Sequence, residues 1–250
     1  MYVAASTTCF PDLSLDDAIE KLFDLEYTAV EIEIREGGHL DPQLILNNFN
    51  EAVGVCQTTR RLDVSSYLVD LSAEGEAYFE QFEACCKLAK ATQVVTLVVP
   101  SAELGTPFNE EVEKFKRLVE IAAKQGVRVG MKSEHGRLSG DPDTVQVICN
   151  HIDGLGIGYD PSHYIYQSSH KESDLDKLVQ YAIHIYLRDT SENELQVRVG
   201  QGVVDYGKLV NQLGKRNYAQ ALCVHITPQE GIDHMAEMRK IRLLLESLLL

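Results

Sequence analysis

Lys132, Glu134 and His135 stand together in GMKSEHGRL, Gly130 to Leu138, where the apolar run VRVGM ends. A lysine in that place is costly to bury, so it needs a partner or a task. Buried near other polar groups, an amine can serve as base or Schiff-base nucleophile, and Glu134 is a second acid-base group. Asp160 and His163 in DPSH can face one cavity, where they would bind a divalent ion or orient a sugar hydroxyl. The local alternative is an Asx turn, with Asp160 capping the next turn and Pro161 fixing it. In HIYLRD (184–189), period two puts His184, Tyr186 and Arg188 on one side and Ile185, Leu187 and Asp189 on the other. His225 in LCVHIT has the same standing. VRVGQGVVDY (197–206) carries Gly200 and Gly202, whose amides can form an anion nest with Arg198 supplying charge. An ordinary turn is the equal alternative there.

These residues sit at the ends of short β-rich runs. The runs cover 2–7, 29–34, 61–71, 92–99, 127–131, 154–160, 183–189 and 221–227. Helical patterns follow them at 14–27, 41–59, 72–92, 109–126, 141–152, 173–182, 205–218 and about 232–249. Strict β/α alternation implies a parallel sheet, and eight units imply one α/β domain over residues 1–250, a single (β/α)8 TIM barrel. An open doubly wound sheet would usually show GxGxxG after its first strand. Here that turn reads STTCFPD, so no nucleotide cofactor is expected. In a barrel the strand C-termini line the active face. That rule selects Thr7, Thr8, Glu31, Glu33, Ser66, Tyr67, Lys132, Glu134, Asp160, His163, His184, Tyr186 and His225.

Composition narrows the function classes. The 250 residues carry a formal charge of -15 with no basic patch, which argues against nucleic acid as a partner. Six dispersed cysteines form no CxxC pair, so they read as small core residues and reduced thiols. The N-terminus lacks a charged leader with an apolar core behind it, and no run approaches the ~20 apolar residues of a membrane span. A cytoplasmic protein without membrane contact is expected.

GIGYDPSH, IHIYLRD, VGQGVVDYGKLVNQL and NYAQALCVHI, in that order and spacing, resemble the xylose-isomerase-like TIM-barrel family, and the likeness covers nearly the whole chain. That family holds sugar-phosphate isomerases and epimerases, inosose and dehydroshikimate dehydratases, and apurinic endonucleases. The resemblance implies a divalent ion on a Glu of the fifth strand, an Asp of the sixth, a His of the seventh and a Glu of the eighth, with the glutamates moving the proton. Asp160 falls on the Asp ligand, His163 on a substrate-binding histidine and Arg198 on an arginine that often contacts substrate. Lys132 falls on the first Glu, Tyr186 on the His with His184 two residues away, and His225 on the second Glu. A two-residue shift would instead put Glu134 in the ligand place.

These departures change the electrostatics. Two carboxylates give way to an amine and an imidazole. At an effective dielectric near 20, unit charges about 4 Å apart interact by about 4 kcal/mol, so turning that attraction into repulsion weakens hard-cation binding by orders of magnitude. The expectation is that Lys132 stands where the ion stands in relatives, its ammonium pairing with Asp160. The leading functional expectation is a sugar (phosphate) isomerase or epimerase acting on a small polyhydroxylated carbonyl compound. Lys132, His225 and Glu134 would be catalytic, while Asp160, His163, Arg198, Tyr186 and His184 position substrate. A second expectation is a metal-dependent sugar or cyclitol dehydratase, with Mn, Zn, Co or Mg on Asp160, His184, His225 and Glu134. A third is a barrel without catalysis that binds a ligand or partner protein. Relatives are commonly dimers or tetramers, so a homo-oligomer is implied by the resemblance alone.

Overall fold

The computed structural model describes residues 1–167, 170 and 172–250. Eight strands form a closed barrel in chain order: β1 (Tyr2–Ser6), β2 (Ala29–Arg35), β3 (Asp63–Asp70), β4 (Thr96–Pro100), β5 (Arg128–Lys132), β6 (Leu155–Tyr159), β7 (Ala182–Leu187) and β8 (Ala221–Val224). All pairings are parallel, and β8 closes on β1 through Tyr2↔Ala221 to Ala5↔Val224. The connecting helices are α1 (Leu15–Asp24), α2 (Pro42–Asn47), α3 (Phe49–Gln57), α4 (Gly75–Ala91), α5 (Phe108–Ala123), α6 (Pro142–His151), α7 (Ser162–Ile165), α8 (Glu172–Leu178), α9 (Tyr206–Lys215) and α10 (His234–Ser247). The single (β/α)8 barrel expected from the alternation is the fold of the chain.

Local chemistry sets these elements. Ser14 caps α1 by accepting the Asp17 amide at 3.2 Å, with Asp16 and Asp17 in the first turn, where negative charge suits the helix dipole. Its buried stripe is Leu15, Ala18, Ile19 and Leu22. Asp41, Asp141, Asp205 and Asp233 cap α2, α6, α9 and α10 in the same way. The segment 41–59, expected as one helix, is two. Asn48 leaves helical geometry at φ -137°, ending α2 and starting α3. Its side chain donates to Glu51 at 3.1 Å instead of pointing idly to solvent, the local competition that disfavours Asn inside helices.

Strand parity decides which residues see the barrel axis. Val30, Ile32, Ile185, Leu187, Leu222 and Val224 join the main core between sheet and helices. Leu68, Val98, Tyr186 and Cys223 pack against one another inside the barrel, and Ala4, Ala29 and Ala221 form a smaller layer below them. Each buried Leu, Ile or Val contributes about 1.5–3 kcal/mol, so a one-residue slip of β7 would exchange its apolar and polar faces at high cost. The expected inward facing of His184, Tyr186 and Arg188 is thus enforced by Ile185 and Leu187. Gly158 makes room for the Tyr186 ring: a Cβ there would meet Val98 Cγ1 at 2.6 Å and Tyr186 Cε2 at 3.1 Å. The six cysteines are free and buried. No described helix is long and apolar enough to cross a membrane.

Candidate active site

The C-terminal mouth holds a cluster of charged side chains from β5 through β8. Lys132 ends β5, and its ammonium donates to Glu134 Oε1 at 3.1 Å. Glu134 Oε2 lies 3.5 Å from Arg137 Nε yet is buried without a hydrogen bond. Arg137 is anchored by donating to the Ser101 carbonyl at 2.7 Å.

Asp160, just past β6, is fully buried and divided between two tasks. Oδ1 accepts the Ser162 amide at 3.0 Å and the Ser162 hydroxyl, which is the Asx turn anticipated as the local alternative. Oδ2 accepts from Arg188 at 3.1 Å and lies 3.7 Å from His163 Nε2. Burial pushes the Asp160 carboxyl up, but Arg188, His163 and Ser162 outweigh it and hold it below the ordinary range. His163 Nδ1 accepts the His135 amide at 3.1 Å, so Nε2 is the nitrogen that can carry a proton towards Asp160. Burial drives the His163 pKa down to about 4, against the pull of Asp160. His225 is neutral for a similar reason: burial first, then Arg188 and Lys132, push its pKa well down.

Arg188 organises this group. Its guanidinium hydrogen-bonds Asp160 and contacts His225 Nδ1, while its Nε is buried without a partner. The expected Lys132–Asp160 pair is therefore corrected. Lys132 pairs with Glu134 on its own segment, and the cation on Asp160 is Arg188, which reaches across from the neighbouring strand end.

One layer lower, Glu31 of β2 is fully buried. Its Oε2 accepts from Tyr186 at 2.8 Å and Ser66 at 3.0 Å, and His184 Nε2 approaches to 3.1 Å without hydrogen-bond alignment. Burial pushes the Glu31 carboxyl up, but His184 and Tyr186 prevail and hold it low. Cys223 is sealed in the same layer, and burial with the nearby Glu31 charge raises its thiol pKa well above normal. His184 and Tyr186, expected to meet substrate, both belong to this lower group.

The 197–206 loop is a nest whose anion is internal. Asp189 Oδ2 accepts the amides of Gly200 at 2.8 Å and Gly202 at 3.0 Å. A Cβ on Gly202 would come within 2.0 Å of Asp189 Oδ1. Arg198 turns to Glu237 of α10 at 3.5 Å, with its side chain 55% exposed. Sequence reasoning missed this use of Asp189, although Asp directly after a strand and before a two-glycine loop was a readable signal. It also missed His39, which links Glu33 at 3.2 Å to the Phe10 carbonyl at 3.1 Å. A cavity of about 300 Å³ lies on the helix side of β6, lined by Tyr159, Leu175, Leu209 and Gln212. None of the charged cluster lines it, so the chemistry points to the mouth instead.

A profile of xylose isomerase-like TIM barrels matches residues 19–244. The chain belongs to that family. Solved structures with the same fold include a D-tagatose 3-epimerase-like protein, 19% identical, with TM-score 0.74 over 100% of this chain and 97% of that one. A probable 3-DHS dehydratase from Bacillus anthracis is 14% identical, TM-score 0.76, with 98% and 99% covered. The IOLI protein with a bound zinc atom is 16% identical, TM-score 0.76, with 99% and 98% covered. Identities this low establish the fold alone. A search of curated proteins finds no sequence match.

A divalent ion of the xylose isomerase-like kind does not fit this mouth. The four residues expected as ligands do not assemble: Asp160 is held by Arg188, His225 touches the same guanidinium, Glu134 is taken by Lys132, and His184 lies with Glu31. Among the described residues, the one grouping of three metal-ligand types is Glu31, His184 and Cys223. A permanent guanidinium charge on Asp160 opposes a second cation there.

Proposed function

We propose that the barrel is a sugar isomerase- or epimerase-like enzyme for a small polyhydroxylated carbonyl compound, using side-chain cations at its mouth. One observation carries this reading. Glu134 Oε2 and Arg188 Nε, an acceptor and a donor, are buried at the mouth without hydrogen-bond partners. Such orphaned groups are expensive unless a ligand meets them.

The chemistry follows from their types. Glu134 takes a proton from the carbon beside the carbonyl, breaking the C–H bond. The electron pair moves to the carbonyl oxygen, where Arg188 Nε–H and the Lys132 ammonium meet the developing charge. Return of that proton to the former carbonyl carbon, with the hydroxyl proton of the adjacent carbon passing to the enediolate oxygen, isomerises the substrate. Epimerisation needs instead a proton delivered to the opposite face by a second acid, not by Glu134. His225 and Asp160 fix Arg188, while His163, which is neutral near pH 7, is suited to a sugar hydroxyl. Similarity to structures named as an epimerase-like protein and a dehydratase supports the reading, since both reactions can begin with loss of such a proton.

The test is solvent exchange. Wild-type protein incubated with a panel of ketoses and aldoses in deuterium oxide should exchange the hydrogen beside the carbonyl, followed by proton NMR. Glu134→Gln should slow exchange by about 10²–10⁴-fold, the usual share of a positioned base. Lys132→Met should slow it as well. An unchanged rate in Glu134→Gln removes that residue from the mechanism.

A second reading is a barrel that binds a sugar without turning it over. Its support is the engagement of Asp160 on both oxygens by Ser162 and Arg188. It predicts thermal stabilisation by a sugar with no exchange.

A further inference from the structure

Glu31, His184 and Cys223 come from three strands, β2, β7 and β8, and meet inside the barrel. One ligand-type atom from each lies within 4.8 Å of the other two. Their exposures are 0%, 1% and 0%, so bulk solvent does not reach them. Glu31 Oε1 and His184 Nε2 have no hydrogen-bond partner. A buried carboxylate oxygen and imidazole nitrogen left this way cost free energy that aligned donors would have avoided. The near approach of His184 to Glu31 Oε2, 3.1 Å but misaligned, does not answer the vacant Oε1.

The donor set is specific. A carboxylate oxygen, an imidazole nitrogen and a sulfur are the ligands of borderline-soft cations such as Zn²⁺. We propose that Glu31, His184 and Cys223 bind one zinc-type divalent cation inside the barrel, below the mouth. A thiolate and a carboxylate carry two negative charges, which cancel the ion and leave the sealed layer neutral. The Tyr186 and Ser66 hydroxyls, 2.8 and 3.0 Å from Glu31 Oε2, hold the carboxylate as outer partners of metal ligands do. Leu68, Val98 and Tyr186 pack against Cys223 and give the sulfur an apolar wall. Because all three ligands are sealed, loading accompanies folding. The position uses none of Lys132, Glu134, Asp160, Arg188 or His225, so this site stands whatever the mouth does.

The experiment refolds the full chain in metal-depleted buffer, then with equimolar Zn²⁺ or Co²⁺, followed by exhaustive dialysis. Elemental analysis should find one cation per chain. The Co²⁺ protein should show a sulfur-to-metal charge-transfer band. Cys223→Ser should abolish that band, and Cys9→Ser, which alters another buried cysteine, should keep it. Glu31→Gln should weaken Zn²⁺ retention against a chromophoric chelator by at least tenfold. Should Cys223→Ser fail to fold, X-ray absorption at the zinc edge of the wild-type protein reads sulfur in the coordination shell directly. No retained metal, a charge-transfer band that survives Cys223→Ser, or a shell without sulfur would overturn the proposal. So would an ion lost in Asp160→Asn but kept in Cys223→Ser, which places it at the mouth. Sugar exchange enters none of these readouts, so failure here is distinct from failure of the proposed activity.

Discussion

At the mouth, each charge meets an opposite one: Lys132 meets Glu134, and Arg188 meets Asp160. One layer down, Glu31 is sealed, with Oε2 taking the Tyr186 and Ser66 hydroxyls and Oε1 making no hydrogen bond. The two layers use similar residue types and differ in where the cation comes from. The upper layer contains its own, a guanidinium that cannot leave. The lower layer has an imidazole at a poor angle. The contrast is between a layer that holds its own fixed guanidinium and a layer in which a carboxylate, an imidazole and a thiol meet without one.

The contrast breaks most sharply at Arg188. Arg188→Met leaves Asp160 buried with its main counter-charge gone. Loss of one partner of a buried pair costs about 3–5 kcal/mol, so the urea midpoint should fall steeply. Adding Asp160→Asn should recover much of that loss, because no buried charge then remains. A single-variant loss under about 1 kcal/mol would mean that Arg188 is not what steadies Asp160.

In the lower layer the matching change is Tyr186→Phe. It removes the hydroxyl that donates to Glu31 at 2.8 Å and keeps the ring that fits over Gly158. Hydrogen bonds to charged groups contribute about 1.5–3 kcal/mol, so chemical denaturation should show a loss in that range. A neutral outcome would mean that Glu31 draws its support elsewhere.

Much of this was legible in the sequence, and the remainder divides along one line. Alternation gave the barrel, and period two correctly turned His184, Tyr186 and Arg188 inward. Parity, however, reports a face and not a height. It could not show that His184 and Tyr186 meet Glu31 in a lower layer while Arg188 reaches Asp160 above it. Nor could it show that Lys132 would choose Glu134, two residues on, over Asp160 on the next strand. Those choices depend on how far each side chain reaches between strands distant in sequence. Cys223 read as a small core residue, and it does pack with Leu68, Val98 and Tyr186 inside the barrel. What patterning could not record is that Glu31 and His184 stand beside it. Asn48 split an expected helix because its side chain competes locally, which apolar periodicity does not record.

pH offers a milder probe of the upper layer. His163 has its folded pKa lowered to about 4 by burial, against about 6.5 when unfolded. The unfolded chain therefore binds more protons in that window. Its contribution is complete above about pH 6.5 and is lost as pH falls towards about 4. Between pH 7 and 5 this group alone should cost about 2 kcal/mol. Lys132, Glu134, Asp160 and Arg188 face it and stay in place during the comparison. His163→Gln should flatten the stability profile across that interval, and an unchanged slope would show that His163 charges freely in the fold.

The smallest effect is expected at Arg198, the residue that the resemblance places on substrate. Its side chain is 55% exposed and its partner, Glu237, lies 3.5 Å away on α10. Glu237 is buried, but the Arg198 end is screened by solvent and Glu237 keeps the Val199 amide, so Arg198→Ala should shift stability by less than about 1 kcal/mol. The loop should keep its shape, because Asp189 holds it through Gly200 and Gly202, and the Val199 amide still donates to Glu237 at 2.7 Å. Kinetics then separates two roles. With the guanidinium on Glu237, both KM and kcat for exchange stay at wild-type values. A rise in KM with kcat unchanged would mean that Arg198 binds substrate and transition state alike, and would extend the site from the Arg188 platform to the loop after β7.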